Sequence, residues 1–255
     1  MSETSQEVKV TIGGVIFAFL IESMIPIVVC FSYIKYYRCR LVYIIIGMIG
    51  FFISSVIEGI FMFITRSIFG KSSTIFLVTS FLSAGIFHQL ISYYTIKFLT
   101  SKDANKSKRL SLNNGVGRGA VECFVLAFSF LANLFRKKSL NYDITFIMCL
   151  MNILERAFIY MMHISLSVLI FKQLMDKKKI YFIIAVAVND AIVAIPIFRN
   201  KQVMYNYLIS ECFIGLIVIG ISIYAYNLYQ KIFENFDEKE DKIPFDKLEK
   251  LENKS

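Results

Sequence analysis

A chain of 255 residues that is 56% hydrophobic, with only 3 prolines and a mean hydropathy of +0.61, carries apolar runs spaced too closely for soluble domains; its length leaves room for one membrane domain with short loops. The net charge of +9 falls mostly in those loops, so it concerns orientation and anionic lipid, and without a basic domain or an aromatic platform it excludes a nucleic-acid binder. Five scattered cysteines with no C-x-x-C exclude a disulfide framework and a zinc knuckle.

The pattern predicts an all-α, polytopic transmembrane bundle of about seven spans over residues 10–232, between an N-terminal tail (1–9) and a polar C-terminal tail (233–255). The start, MSETSQEVK, lacks a basic signal region, and the first apolar segment is too long for one, so it reads as a retained helix. The first span, about Val10 to Ile34, holds Glu22 and Pro26, the latter predicting a kink. The second, about Leu41 to Ile64, is rich in Phe and Ile and carries Glu58. The third, about Thr74 to Leu99, contains His88 and Gln89, and a charged loop follows. The fourth, about Leu110 to Phe135, is the least apolar, opening SLNNGVGRGAVE. The fifth runs from about Ile144 to Phe171, the sixth from about Ile180 to Phe198 and the seventh from about Tyr205 to Ile232. In the tail, Phe245, Leu248 and Leu251 recur at helical spacing and predict a short surface helix.

Seven spans put the termini on opposite sides. Eleven basic loop residues, among them Lys35, Arg38, Arg40, Arg109 and Lys177 to Lys179, fall on one side and eight on the other. The richer side is predicted to be cytoplasmic, with the N-terminus outside the cell membrane and the C-terminus inside.

The fifth span carries Glu155, Arg156 and His163 inside an apolar run. A charge at the bilayer centre costs roughly 2.5–3.5 kcal/mol even on the lenient insertion scale, so such groups are expected to face the bundle interior with partners. At about 100° per residue, His163 lies some 80° from Glu155 and about 20° from Arg156, which gathers the three toward one face. In the fourth span, Gly115, Gly117 and Gly119 alternate before Glu122. That spacing is not that of a helix dimer face, and it predicts irregular or closely packed backbone beside a polar cavity. Arg118, four residues before Glu122, reads either as its intrahelical partner or as part of a site.

Four segments, AGIFHQLISYYTIKFL (84–99), GVGRGAVE (115–122), LERAFIYMMHISLSVLIF (154–171) and YFIIAVAVNDAIVAIP (181–196), make the chain resemble the YhfC-type branch of intramembrane proteases, in the group that includes the CaaX prenyl endopeptidases and PrsW. The resemblance implies, for active relatives, a Glu-Glu pair with a following Arg, a Gly-x-Gly-His-Gly-x-x-Glu, a Glu-Arg with His, and a His with a later Asp. Together these would position a water and polarise the scissile carbonyl. Here His88 and Gln89 stand at the glutamate pair, Ser92 at the arginine, Arg118 at the second segment's histidine, Asn189 at the last histidine and Val193 at the aspartate, while Glu122, Glu155, Arg156 and His163 remain.

The resemblance thus marks Glu122 and His163 as candidate catalytic residues, with His88, Gln89, Arg118, Glu155, Arg156 and Asn189 as cavity or binding residues. Losing the glutamate pair removes the expected base, so the reading is a catalytically degenerate protein that binds a membrane-embedded or secreted peptide, in bacteriocin or peptide immunity, processing or export. Its partners are then lipid, the peptide and, for export, an ABC transporter. An active intramembrane endopeptidase and a small transporter or permease subunit are the alternatives; the latter rests only on intramembrane charges. No cofactor or metal is expected, with zinc on His88, Glu122 and His163 as the alternative, two imidazoles and a carboxylate making an open site.

Overall fold

The computed structural model describes residues 12–37, 39–71, 73–102, 109–136, 146–194 and 204–240. Among these the chain forms seven helices and no strand: α1 (Ile12–Tyr36), α2 (Leu41–Phe69), α3 (Thr74–Lys102), α4 (Leu110–Arg136), α5 (Phe146–Asp176), α6 (Ile180–Ala194) and α7 (Met204–Glu240). Gly70, at φ 78°, ends α2 by donating its amide to the Arg66 carbonyl at 2.9 Å, in the left-handed region that suits a residue without a Cβ. Pro26 lies within α1, which continues helically on both sides of it. α7 continues to Glu240, past the expected end of the last span. The tail segment around Phe245 to Leu251 lies outside the described residues.

The outer surface is largely apolar, while the interior holds a set of polar and charged groups alongside an apolar core. Leu20, Phe31, Phe63, Ile68, Phe213 and Leu216 point outward, whereas Glu22, Gln89, Asn114, Arg118, Arg156 and His163 are buried. Such an outer surface is stable only against lipid, and such an interior only where polar groups find one another. The chain is a multi-pass membrane protein.

Five helices contain stretches long and apolar enough to cross a membrane: Phe19–Tyr36, Leu41–Phe69, Thr74–Ser101, Ile153–Asp176 and Ile209–Lys231. The other two depart from the expectation of seven apolar spans, for different reasons. α4 is long enough, at about 1.5 Å per residue, but polar in its first half. Packed against α1, α2, α3 and α5, it meets neighbouring helices there instead of lipid, and its residues Leu110 to Val121 are all buried. α6 has a shorter apolar stretch, Ile180–Val193, and packs mainly on α3 and α5.

Candidate functional site

The polar first half of α4 reaches the centre because its glycines let it approach two neighbours at backbone distance. A Cβ on Gly115 would stand 2.5 Å from the Ile164 Cα of α5, while one on Gly117 would collide with the Ile44 carbonyl oxygen of α2. Two residues apart means about 200° round the helix, so the alternation serves two contacts, not one. The backbone is regular helix throughout, which corrects the irregular half of the sequence expectation and retains the close packing. On the side toward the α4 N-terminus, Asn114 Nδ2 donates to Ser92 Oγ of α3 at 2.8 Å and Ser167 Oγ of α5 at 2.9 Å, pinning three helices at one amide.

Arg118 enters this centre with a relative exposure of 1%. Its Nη2 donates to His88 Nδ1 at 2.9 Å and to Ser54 Oγ at 3.3 Å, and its guanidinium lies over the Phe51 ring. A guanidinium has no acceptor. His88 Nδ1 is therefore the acceptor, and the ring proton sits on Nε2, which faces Glu58 Oε2 at 3.2 Å. The result is a directed chain from α4 through α3 to α2.

The second pair is Glu122 with His163, joined through Oε2 and Nε2. His163 is buried, whereas 27% of the Glu122 side chain is accessible, so Glu122 is the member of the pair that a ligand can reach. Phe51 stands between the two pairs, its ring centroid 5.0 Å from that of His88 and 5.9 Å from that of His163.

Arg156 turns elsewhere. Its Nε lies 3.5 Å from Glu22 Oε2 of α1 and its Nη1 3.7 Å from Glu155 Oε2, with Glu22 wholly buried. Glu155, Arg156 and His163 of α5 thus serve two clusters, Arg156 and Glu155 with α1 and His163 with α4. Cys123, next to Glu122, donates to the Arg156 carbonyl at 3.5 Å and joins the clusters. Gln89 and Asn189 form a third, smaller contact: Gln89 Nε2 donates to Asn189 Oδ1 at 3.4 Å. Beside it, Asp190 Oδ1 accepts the Gly85 amide at 2.7 Å and docks α6 on α3.

Sequence reasoning missed Phe51, Ser54 and Glu58 as site residues, and with them the part played by α2. A signal was present: Ile44, Gly47, Phe51, Ser54 and Glu58 recur every three or four residues, one helix face marked by small and polar groups in a Phe/Ile-rich span. Glu22 was visible as an intramembrane charge, but its partner lies far along the chain.

Fold and site together define a membrane-embedded helical protein whose polar centre is built from paired His, Glu and Arg side chains. The chain belongs to the YhfC intramembrane metalloprotease family, whose model matches residues 21–214, a stretch that contains every side chain of the polar centre described above. None of the curated proteins matches it.

The family name implies a metal, and the donor set can be tested for it. Zinc needs lone pairs of neutral imidazoles and carboxylates turned to one point. His88 Nδ1 is engaged by Arg118 and its Nε2 bears the proton toward Glu58, so it offers no lone pair. Phe51 separates it from His163, and the fixed charge of Arg118 sits one turn from Glu122. Among the described residues no three His, Cys, Asp or Glu side chains converge to hold an ion. In this arrangement the residues do not fit the metal.

Proposed function

We propose that this protein is a catalytically degenerate member of its family that uses the centre around Glu122 to bind a membrane-embedded or membrane-inserting peptide. The observation that carries the reading is Arg118: a buried guanidinium donates to His88 and Ser54 at the position where the family resemblance places a histidine. A permanent cation can neither ligate a metal nor accept a proton from water. It can hold the centre's charge constant while Glu122, the accessible carboxylate, accepts hydrogen bonds from a peptide. Immunity to a secreted peptide, or its export, is the corresponding role in the cell. The bias of basic residues between the loops supports a reading in which this role is exercised in the cell membrane with the C-terminus in the cytoplasm.

The pairing of Glu122 with His163 favours one second reading, an endopeptidase in which Glu122 takes the proton of a water and His163 holds the carboxylate in place. One experiment separates the two. Protein in nanodiscs is incubated with a library of membrane-anchored peptides carrying a photo-crosslinker, and both capture and cleavage are scored for wild type and Glu122→Gln. Capture without cleavage, weakened about tenfold in the variant, is expected, since about 1.4 kcal/mol is within the worth of one hydrogen bond to a charged group. Cleavage by wild type that Glu122→Gln abolishes at unchanged yield would overturn the binding reading.

A further inference from the structure

A groove of about 480 Å³ lies away from the polar centre, between α1, α5, α7 and Leu112 at the start of α4. Its size is that of a small-molecule site, and no Asp or Glu is among its lining residues. On α7 the lining runs from Ile219 to Gln230, about 16 Å at 1.5 Å per residue. That is close to half of the roughly 30 Å hydrocarbon thickness of a bilayer. The only polar groups at its deeper part, Ser165 and Ser222, hydrogen-bond each other at 3.0 Å, so the floor presents no unmet polar demand to an apolar occupant. Toward the other end the lining becomes Tyr33, Tyr37, Tyr226 and Tyr229, the residue type enriched where hydrocarbon meets headgroups.

That tyrosine end coincides with the basic side of the bundle. α1 ends, α4 begins and the apolar part of α7 ends there. Arg109 stands three residues before Leu112, a lining residue on α4, about one helical turn nearer that end. Lys231 directly follows Gln230, the last lining residue on α7. Depth, apolar floor, aromatic mouth and cationic rim together match one molecule: a lipid with a chain and a negative headgroup.

We propose that this groove binds one acyl chain of an anionic phospholipid from the leaflet on the basic side, with the phosphate held at the rim by Arg109. The α7 part of the lining lies beyond the residues that match the family, so the site is separate from the shared centre. The proposal is independent of whether that centre binds or cleaves.

The test is native mass spectrometry of the full chain, delipidated in mild detergent and titrated with dioleoyl phosphatidylglycerol or dioleoyl phosphatidylcholine. One phosphatidylglycerol per chain, bound at least tenfold more tightly than phosphatidylcholine, is expected. Ser222→Phe, which fills the floor, should abolish that binding. Arg109→Gln, which leaves the packing of the groove alone, should weaken phosphatidylglycerol roughly fivefold, the worth of one surface cation, and leave phosphatidylcholine unchanged. Equal binding of the two lipids by wild type would overturn the proposal. So would a folded Ser222→Phe, or an Arg109→Gln protein, that binds phosphatidylglycerol as wild type does.

Discussion

Removing Arg156 should damage the protein more than removing either carboxylate that faces it. Arg156 has a relative exposure of 4% and Glu22 of 0%, so neither can recover hydration if its partner is lost. In Arg156→Met, Glu22 and Glu155 are left as two carboxylates facing one site without a cation, and breaking a buried pair in this way costs about 3–5 kcal/mol. In Glu22→Gln, Arg156 keeps Glu155 at 3.7 Å, whose side chain is 20% accessible, so a milder loss of about 1–3 kcal/mol is expected. Glu155→Ala should be milder still, because the buried Glu22 remains. The double variant Glu22→Leu with Arg156→Met removes both charges and should recover most of the stability lost in Arg156→Met. For a domain of this size, 1 kcal/mol corresponds to roughly 2–4 °C in Tm. Arg156→Met should therefore melt at least about 6 °C below wild type, and Glu22→Gln by roughly half of that shift. The assay is the monodisperse fraction by size-exclusion chromatography after heating the purified protein in mild detergent. Equal losses in the two single variants, or a double variant as unstable as Arg156→Met, would refute the reasoning.

Gly117→Ala should sharply lower the folded yield, because its Cβ meets the backbone of α2, which cannot turn aside as a side chain can; overpacking of this kind costs about 1–3 kcal/mol or more. Gly59→Ala is the control: nothing lies within 4 Å of a Cβ built there, so it should be neutral or gain up to about 1 kcal/mol of helix propensity, and thermal stability of both checks the contrast. A cysteine introduced as Lys250→Cys should stay unlabelled by an impermeant thiol reagent on whole cells, as the basic-loop bias requires; rapid labelling above the wild-type background would reverse the proposed topology.

Much of the architecture was legible in the chain itself. Apolar runs flanked by basic residues located all seven helices, five of them long and apolar enough to cross a membrane, because hydropathy and the demand for satisfied backbone groups act locally. Ends were less legible, since α5 and α7 extend into polar sequence, to Asp176 and Glu240, where hydropathy carries no signal. Ionisable residues inside apolar runs, Glu22, Glu122, Arg156 and His163, were visible for the same reason: charge in lipid is costly wherever it stands.

What the sequence could not decide was which of these groups would meet. Periodicity gives each helix a polar face, yet the neighbour that this face sees depends on how the seven helices pack, with α1, α2, α3 and α5 gathered on α4. Arg156 sits beside Glu155 in the chain and also reaches Glu22, 134 positions away, because α1 is close to α5 at that depth. His88 and His163, natural co-ligands on paper, are separated by the Phe51 ring. Arg118, a candidate intrahelical partner for Glu122, instead donates to His88. These pairings were decided by contacts between helices, since an interior that excludes water makes a buried polar group depend on whatever partner the packing brings within reach.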